Sequence, residues 1–140
     1  MDYETRDDIR DIKYLDGKFF FLSADGLNVY DKGKAQNYDV SDGEFFLGEC
    51  LFINSNRVFL GSSVSGVAEF KNNSIEYIND SIGMDRIGVF SINKTADNLW
   101  WYATENGLFN HNGKKLTKVT GKQGLSTSKT RSLVLDQSGK

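Results

Sequence analysis

The sequence of 140 residues contains no proline, one cysteine and one histidine, and its charges nearly cancel, with 17 basic and 19 acidic side chains. Cys50 alone cannot form an internal disulfide, and with His111 it cannot complete a zinc site, so we expect no metal and no cofactor. Duplex nucleic acid requires clustered Lys and Arg, so we expect no nucleic-acid partner. No apolar run approaches the roughly 18 residues of a membrane helix, so we expect no direct membrane insertion.

Short runs of aromatic and β-branched residues recur along the chain, bounded by Gly, Asn and Asp. No apolar stripe with helical spacing extends over about a dozen residues, so the pattern predicts an all-β fold. Pairs such as Asp16-Gly17 separate successive runs. They favour two-residue hairpin turns, because Gly, Asn and Asp tolerate the left-handed conformation.

Three kinds of turn marker recur at intervals of about 40 residues, which indicates a structural repeat. The clearest marker is a glycine followed by an apolar residue, at Gly26-Leu27, Gly66-Val67 and Gly107-Leu108. Each interval holds four short strands, and four-stranded antiparallel units of this length are typical of β-propeller blades. A single sandwich core is the alternative, but the regular interval argues against it.

We expect residues 1–140 to be a fragment of one β-propeller, with blades at 8–41, 48–84 and 85–124 and the first strand of a further blade at 126–140. Propellers generally have about four to eight blades. The terminal blades of a fragment would expose apolar faces, so we expect self-association through the open blade edges.

The second strand of each blade carries a large aromatic residue that we expect to pack between neighbouring sheets. Burial of such a side chain is worth about 1.5–3 kcal/mol. The residues expected to define the blades are these aromatics and the turn glycines, namely Phe20, Gly26, Phe59, Gly66, Trp101 and Gly107.

Residues 99–108, LWWYATENGL, resemble the core of the two-component regulator propeller repeat, whose pattern is roughly D-x-x-G-x-L-W-I-G-T-x-x-G-L. Residues 124–126, GLS, and 132–139, SLVLDQSG, are similar to the spacer and the opening of the next repeat. The first unit matches with Phe20 in place of the family Trp and Ser23 in place of the Thr, and the second matches more weakly, at Phe59, Gly61 and Ser62. Thr95 replaces an aspartate of the pattern, a departure that concerns hairpin shape.

In that family the propeller is the periplasmic sensor region of hybrid two-component histidine kinases, common in gut bacteria that respond to polysaccharide fragments. The resemblance therefore implies a periplasmic, membrane-anchored sensor of a signal-transduction system, with an oligosaccharide as the ligand of the full propeller. The kinase motifs themselves are absent from these residues, so the resemblance implies no enzymatic activity for this chain.

Candidate catalytic residues are few, and none forms a recognisable constellation. His111 precedes the turn Asn112-Gly113, so we expect it to face solvent rather than to act as the base of a hydrolase triad. Cys50 lies in an apolar run and is expected to be a buried small hydrophobe, because a reactive thiol needs an electropositive, exposed setting. The paired carboxylates lie in turns, where Asp is favoured by local hydrogen bonds.

Ligand binding is the more plausible task, because the loops on one face of a propeller are held by a rigid scaffold. If the turns between second and third strands share a face with the connections between blades, that face carries the candidate ligand residues Asp25, Ser65, Arg86, Asn106 and Lys129, together with Lys122.

The leading functional interpretation is a fragment of a ligand-sensing propeller of a two-component sensor histidine kinase, responsive to carbohydrate. A protein-interaction scaffold propeller is the first alternative. A propeller-type lyase or glycosidase fragment is the second, and it would need clustered His, Arg or carboxylates on the axis.

Overall fold

The computed structural model describes residues 8–24, 26–39, 46–126 and 129–140. Within these residues the chain forms three antiparallel sheets of four strands each, and in every sheet the strands lie side by side in sequence order. The expected all-β fold, a partial propeller of about three four-stranded blades, is confirmed.

The strands alternate with short turns, and helical structure in the described residues is confined to single turns. Blade one contains β1 (Ile9–Leu15), β2 (Lys18–Ser23), β3 (Gly26–Asp31) and β4 (Lys34–Tyr38). Blade two contains β5 (Gly48–Asn54), β6 (Arg57–Ser62), β7 (Gly66–Lys71) and β8 (Ser74–Tyr77), and is followed by α1 (Asn79–Ile82). Blade three contains β9 (Val89–Lys94), β10 (Trp100–Thr104), β11 (Gly107–His111) and β12 (Leu116–Val119), and a 3-10 turn (Gly121–Gln123) follows.

The turn markers of the sequence lie where the strands reverse. Asp16 and Gly17 both have positive φ, at 49° and 82°, as a two-residue hairpin turn requires. Gly66, the first residue of β7, has a φ of 90°, and a Cβ at this position would collide with Oδ1 of Asn79. Glycine is therefore required here both by backbone conformation and by the close approach of a side chain.

Each blade has two faces, because successive side chains of a strand point to opposite sides of its sheet. We call the face turned towards the following blade face B, and the face turned towards the preceding blade face A. Face B of blade one and face A of blade two share a buried cluster that includes Phe20 and Leu60. Face B of blade two and face A of blade three share a second, which includes Phe59 and Tyr102. The blades therefore stack in chain order, B on A.

The aromatic side chain expected between sheets is buried in the first two blades. Phe20 is 5% exposed and meets the ring of Phe70 edge-on at 6.3 Å between centroids. Phe59 is 3% exposed and lies 4.8 Å from the ring of Trp100. Trp101 has the equivalent position on face B of blade three but is only partly buried, because a single segment, rather than a sheet, covers this face.

That segment is residues 129–140, the described part of the range 126–140 that the sequence predicts as the first strand of a further blade. The structure places no strand there, and isolated hydrogen bonds attach the segment to blade three. Thr130 N donates to Thr104 O at 3.0 Å, and Asn93 Nδ2 donates to Leu133 O at 3.0 Å. A strand requires a hydrogen-bonded partner, and residues 129–140 meet no second strand within the described part of the chain.

The structure corrects the expectation for His111 and confirms that for Cys50. His111 is 8% exposed rather than facing solvent, because the register pairs it with Trp100 and Leu116 on face A of blade three, against blade two. Its Nδ1 accepts a hydrogen bond from Gly113 N at 3.1 Å. Cys50 is buried, and this burial raises the pKa of its thiol to about 12.

Candidate functional site

One end of the three sheets collects the connections between blades. The strands run up and down in order, so the turn between second and third strands lies at the same end as the connection to the next blade. We call this the loop end, and in blades two and three it comprises the turns 63–65 and 105–106 with the connections 78–88 and 120–126. The opposite end, with the two tight hairpins of each blade, is the hairpin end.

Hydrogen bonds join the turns and the connections of the loop end directly. The buried side chain of Asn79 accepts from Val67 N and donates to Ser65 O, both at 2.8 Å. Gly88 N donates to the carboxylate of Glu105 at 2.7 Å, and Glu105 N donates back to Gly88 O at 2.9 Å. The turns and the connections of blades two and three therefore lie together at the loop end.

A hydroxyl at the end of each second strand fixes the turn that follows. Ser62 Oγ accepts from Ser65 N at 3.0 Å, and Thr104 Oγ1 accepts from Asn106 N at 3.1 Å while donating to Gly107 O at 2.7 Å. Ser23 Oγ donates to Gly26 O at 3.3 Å. The Ser or Thr of the repeat is thus a turn-forming residue, and it gives the loop end a defined backbone.

The candidate ligand residues occupy different environments at this end. Ser65 is buried, Asn106 is exposed at the corresponding position of the next blade, and Lys129 is exposed in the segment after blade three. The exposed guanidinium of Arg86 lies 5.1 Å from the centroid of the Tyr77 ring. Asp25 lies outside the described residues. A role of these residues in ligand binding stays a prediction.

The sequence interpretation missed a set of residues at the inner edge of the blades, which is formed by the first strands. These strands, β1, β5 and β9, pack side by side, and Leu51 N of β5 donates to Asp11 Oδ2 of β1 at 2.8 Å. Each of the three has a β-bulge near its start, which leaves one residue out of the ladder. The residues skipped by the bulges are Arg10, Glu49 and Phe90.

Arg131 extends this set beyond blade three. The four residues follow one another at intervals of about 40, the period of the repeat. The Arg131 guanidinium carbon lies 4.3 Å from the centroid of the Phe90 ring, so two successive members are in contact. The signal in the sequence was the interval itself, but only the register shows that the strands bulge there.

An open cleft of about 530 Å³ lies between blade three and the segment 129–140. Its walls are mainly apolar and include Trp101, Leu108, Leu133 and Leu135. Face B of the other two blades is filled at this level by strands of the next sheet. The segment 129–140 thus covers face B of blade three only in part, and the remaining cleft has a mainly apolar lining.

Two further findings bear on the chemistry of the described residues. Among residues 8–24, 26–39, 46–126 and 129–140, no three His, Cys, Asp or Glu side chains are grouped closely enough to hold a metal ion. In the same part of the chain, no helix has both the length and the apolar character needed to cross a bilayer.

Comparisons with solved structures give a likeness that concerns the fold. No protein-family model matches the chain, and a search of curated proteins returns no match. Among solved structures, the chain is similar to the extracellular domain of a protein assigned to a hybrid two-component system of B. thetaiotaomicron, with a TM-score of 0.69 and 23% identity. The match covers 94% of this chain and 18% of that one, so the chain spans less than a fifth of its neighbour's length.

Proposed function

We propose that the chain is part of an extracytoplasmic, ligand-sensing β-propeller of a two-component sensor histidine kinase, and that its ligand is an oligosaccharide. The blades themselves are non-catalytic in this proposal. They hold the ligand at the loop end and pass the binding signal to the remainder of the sensor, which is anchored in the membrane with this part in the periplasm.

The observation that carries the proposal is the construction of the loop end. Three features act together there: turns fixed by Ser and Thr hydroxyls, hydrogen bonds between turns and connections, and polar side chains above them. A rigid base that presents polar residues is what a ligand-binding surface needs, because little conformational entropy is lost on binding. The fold of the bacterial sensor domain supports the same proposal, as does the repeat pattern.

The proposal is tested by probing the chain on an array of bacterial and plant oligosaccharides and measuring the affinity of each hit by calorimetry. We expect at least one oligosaccharide to bind, and we expect Asn106→Ala and Arg86→Ala to weaken binding. Asn56→Ala is the matched control, because Asn56 is an exposed turn residue at the hairpin end. Absence of any glycan binding would contradict the proposal, as would an equal loss in the control.

A further inference from the structure

We propose that the bulge residues Arg10, Glu49 and Phe90, together with Arg131, line a binding site for an acidic oligosaccharide at the propeller axis. The inference names the ligand class and the location of the site within the proposed sensing function, and so rests on that function. It begins from the bulges, which lie at the same place in three consecutive blades.

The position of the bulges puts these residues at the mouth of the axis. The first strand of each blade begins at the loop end, and the skipped residue is the second residue of the strand in all three blades. First strands of successive blades are neighbours, so they form the inner edge around which the blades are arranged. A bulge releases its residue from the regular alternation of the ladder and re-aims its side chain, which is why bulges are common beside functional sites.

The four side chains are not interchangeable packing residues. Arg10 and Arg131 are exposed, whereas Glu49 and Phe90 are partly buried. Arg10 has a carboxylate, Asp8, at 3.8 Å, a long exposed contact that leaves its guanidinium available to a stronger acceptor. The four positions thus carry three charged side chains and one aromatic side chain, all of them at least partly accessible.

The pair of Arg131 and Phe90 gives this site a preorganised part. The guanidinium carbon lies 4.3 Å from the ring centroid, and this contact restricts the rotation of the Arg131 side chain. A planar guanidinium presents a fork of donors that matches a carboxylate with two parallel hydrogen bonds.

The donor and acceptor set selects the ligand class. Two guanidinium groups favour an anion, whereas the Glu49 carboxylate repels a simple anion and accepts hydrogen bonds from hydroxyl groups. A molecule with both a carboxylate and several hydroxyls satisfies both kinds of group. An oligosaccharide that contains uronic acids has this composition, and a neutral oligosaccharide leaves the guanidinium groups without a matching anion.

The experiment compares trigalacturonate with a neutral galactose trisaccharide of the same length, by calorimetry on the 140-residue chain. We expect trigalacturonate to bind more tightly, and its affinity to fall by at least about tenfold in Arg131→Gln. Arg131→Lys keeps the charge but loses the fork, so it should restore the affinity only in part. Circular dichroism verifies that each variant is folded.

Lys118→Gln is the matched control, because Lys118 also stands over an aromatic ring, at 5.9 Å from Phe109, but on the outermost strand of blade three. We expect it to bind trigalacturonate as the wild-type chain does. Equal affinity for the two trisaccharides, or an Arg131→Gln variant that binds normally, would overturn the acidic-ligand site. If neutral glycans bind and Asn106→Ala weakens their binding, the sensing proposal survives that result. A chain that binds no glycan contradicts both the sensing proposal and the acidic-ligand site.

Discussion

The guanidinium of Arg57 holds the carboxylate of Glu69 with two hydrogen bonds, from Nε to Oε1 at 2.8 Å and from Nη2 to Oε2 at 2.9 Å. Glu69 is buried on face B of blade two, and the same guanidinium lies 4.8 Å from the ring centroid of Phe59. The pair thus allows a carboxylate to occupy the buried part of this face, beside Phe59. The hydrogen bonds that Arg57 donates lower the pKa of the Glu69 carboxyl below its usual 4.5.

We expect Glu69→Gln to lower the free energy of unfolding by about 1–2 kcal/mol at pH 7, because a charge-assisted, two-bond contact is lost from a mostly buried group. Urea unfolding followed by fluorescence measures the change. The control is Glu76→Gln, since Glu76 lies directly opposite Glu69 in the ladder but is exposed. Removing that like charge should leave the stability equal or slightly higher.

The effect of the pair depends on pH in a defined direction. The pKa of Glu69 is lower in the folded chain than in the unfolded chain. Ionised Glu69 therefore stabilises the fold fully when the pH is above the pKa of the unfolded chain, and this stabilisation is lost as the pH falls through the pKa of the folded chain. The stability difference between wild type and Glu69→Gln should therefore be constant from pH 6 to 8 and shrink below about pH 4. A difference that grows on acidification would contradict this account.

Phe59 and Trp101 test how strongly an aromatic side chain between blades depends on the sheet beyond it. Phe59→Ala should lower the free energy of unfolding by about 3–5 kcal/mol, because the cavity that it leaves lies between two complete sheets. Trp101→Ala should cost less than half as much, since its face is covered by a single segment. Thermal and urea unfolding of the two variants provide the comparison, and an equal or larger loss for Trp101→Ala would show that residues 129–140 pack as firmly as a blade.

Local chemistry explains which parts of this architecture can be predicted from the sequence. The turns can be recognised from single residues, because Gly, Asn and Asp adopt positive φ more readily than other residues. The regular interval between the turns reveals the repeat. The bulges have no such signature, and they shift which residues of a strand face the neighbouring blade. The position of His111 and the contact of Arg57 with Glu69 both depend on strand register, so neither can be derived from residue types alone.

We expect the thiol of Cys50 to be unreactive in the folded chain. Burial is the main cause that raises the pKa of its thiol to about 12, and the negative charge of Asp11 adds to it, so almost no thiolate exists at pH 8. We expect dithiobis(nitrobenzoate) to react with the native chain only at the rate of unfolding, and at once in urea. Gln36→Cys, at an exposed position of β4, is the control and should react within seconds. Rapid reaction of native Cys50 would contradict its burial.

Face A of blade one differs from the equivalent faces of the other blades, because nothing in the described part of the chain covers it. Ile12 is 49% exposed, although the residues at the same register in blades two and three, Leu51 and Ile92, are each 4% exposed. Phe19 is 42% exposed, whereas its equivalent Val58 is 3% exposed. The register adds Tyr14, Phe21 and Tyr30 to the same face. This surface therefore has the composition of a contact between blades.

We propose that a second copy of the chain covers this face, A against A. Face B of blade three already carries residues 129–140, which obstruct head-to-tail stacking and leave face A as the open sheet surface of the described residues. A contact of one face with its own copy is closed, so association ends at a dimer. The sheet measures roughly 20 Å by 20 Å, which is smaller than a standard stable interface, so the dimer should dissociate at micromolar concentrations.

Light scattering on a sizing column, across a hundredfold range of concentration, should show conversion from monomer to dimer. Phe19→Glu and Tyr14→Glu should each give a folded monomer, because either substitution places two like charges opposite each other in the dimer. Gln36→Glu is the control: it adds the charge to face B of blade one, and this variant should still dimerise. In a Tyr14→Cys variant, a bis-maleimide should link two copies, since Cys50 is buried and the introduced thiol of each copy lies on the proposed interface. A chain that stays monomeric throughout, or a dimer that neither charged variant disrupts, would contradict the A-against-A contact and assign face A to a different blade.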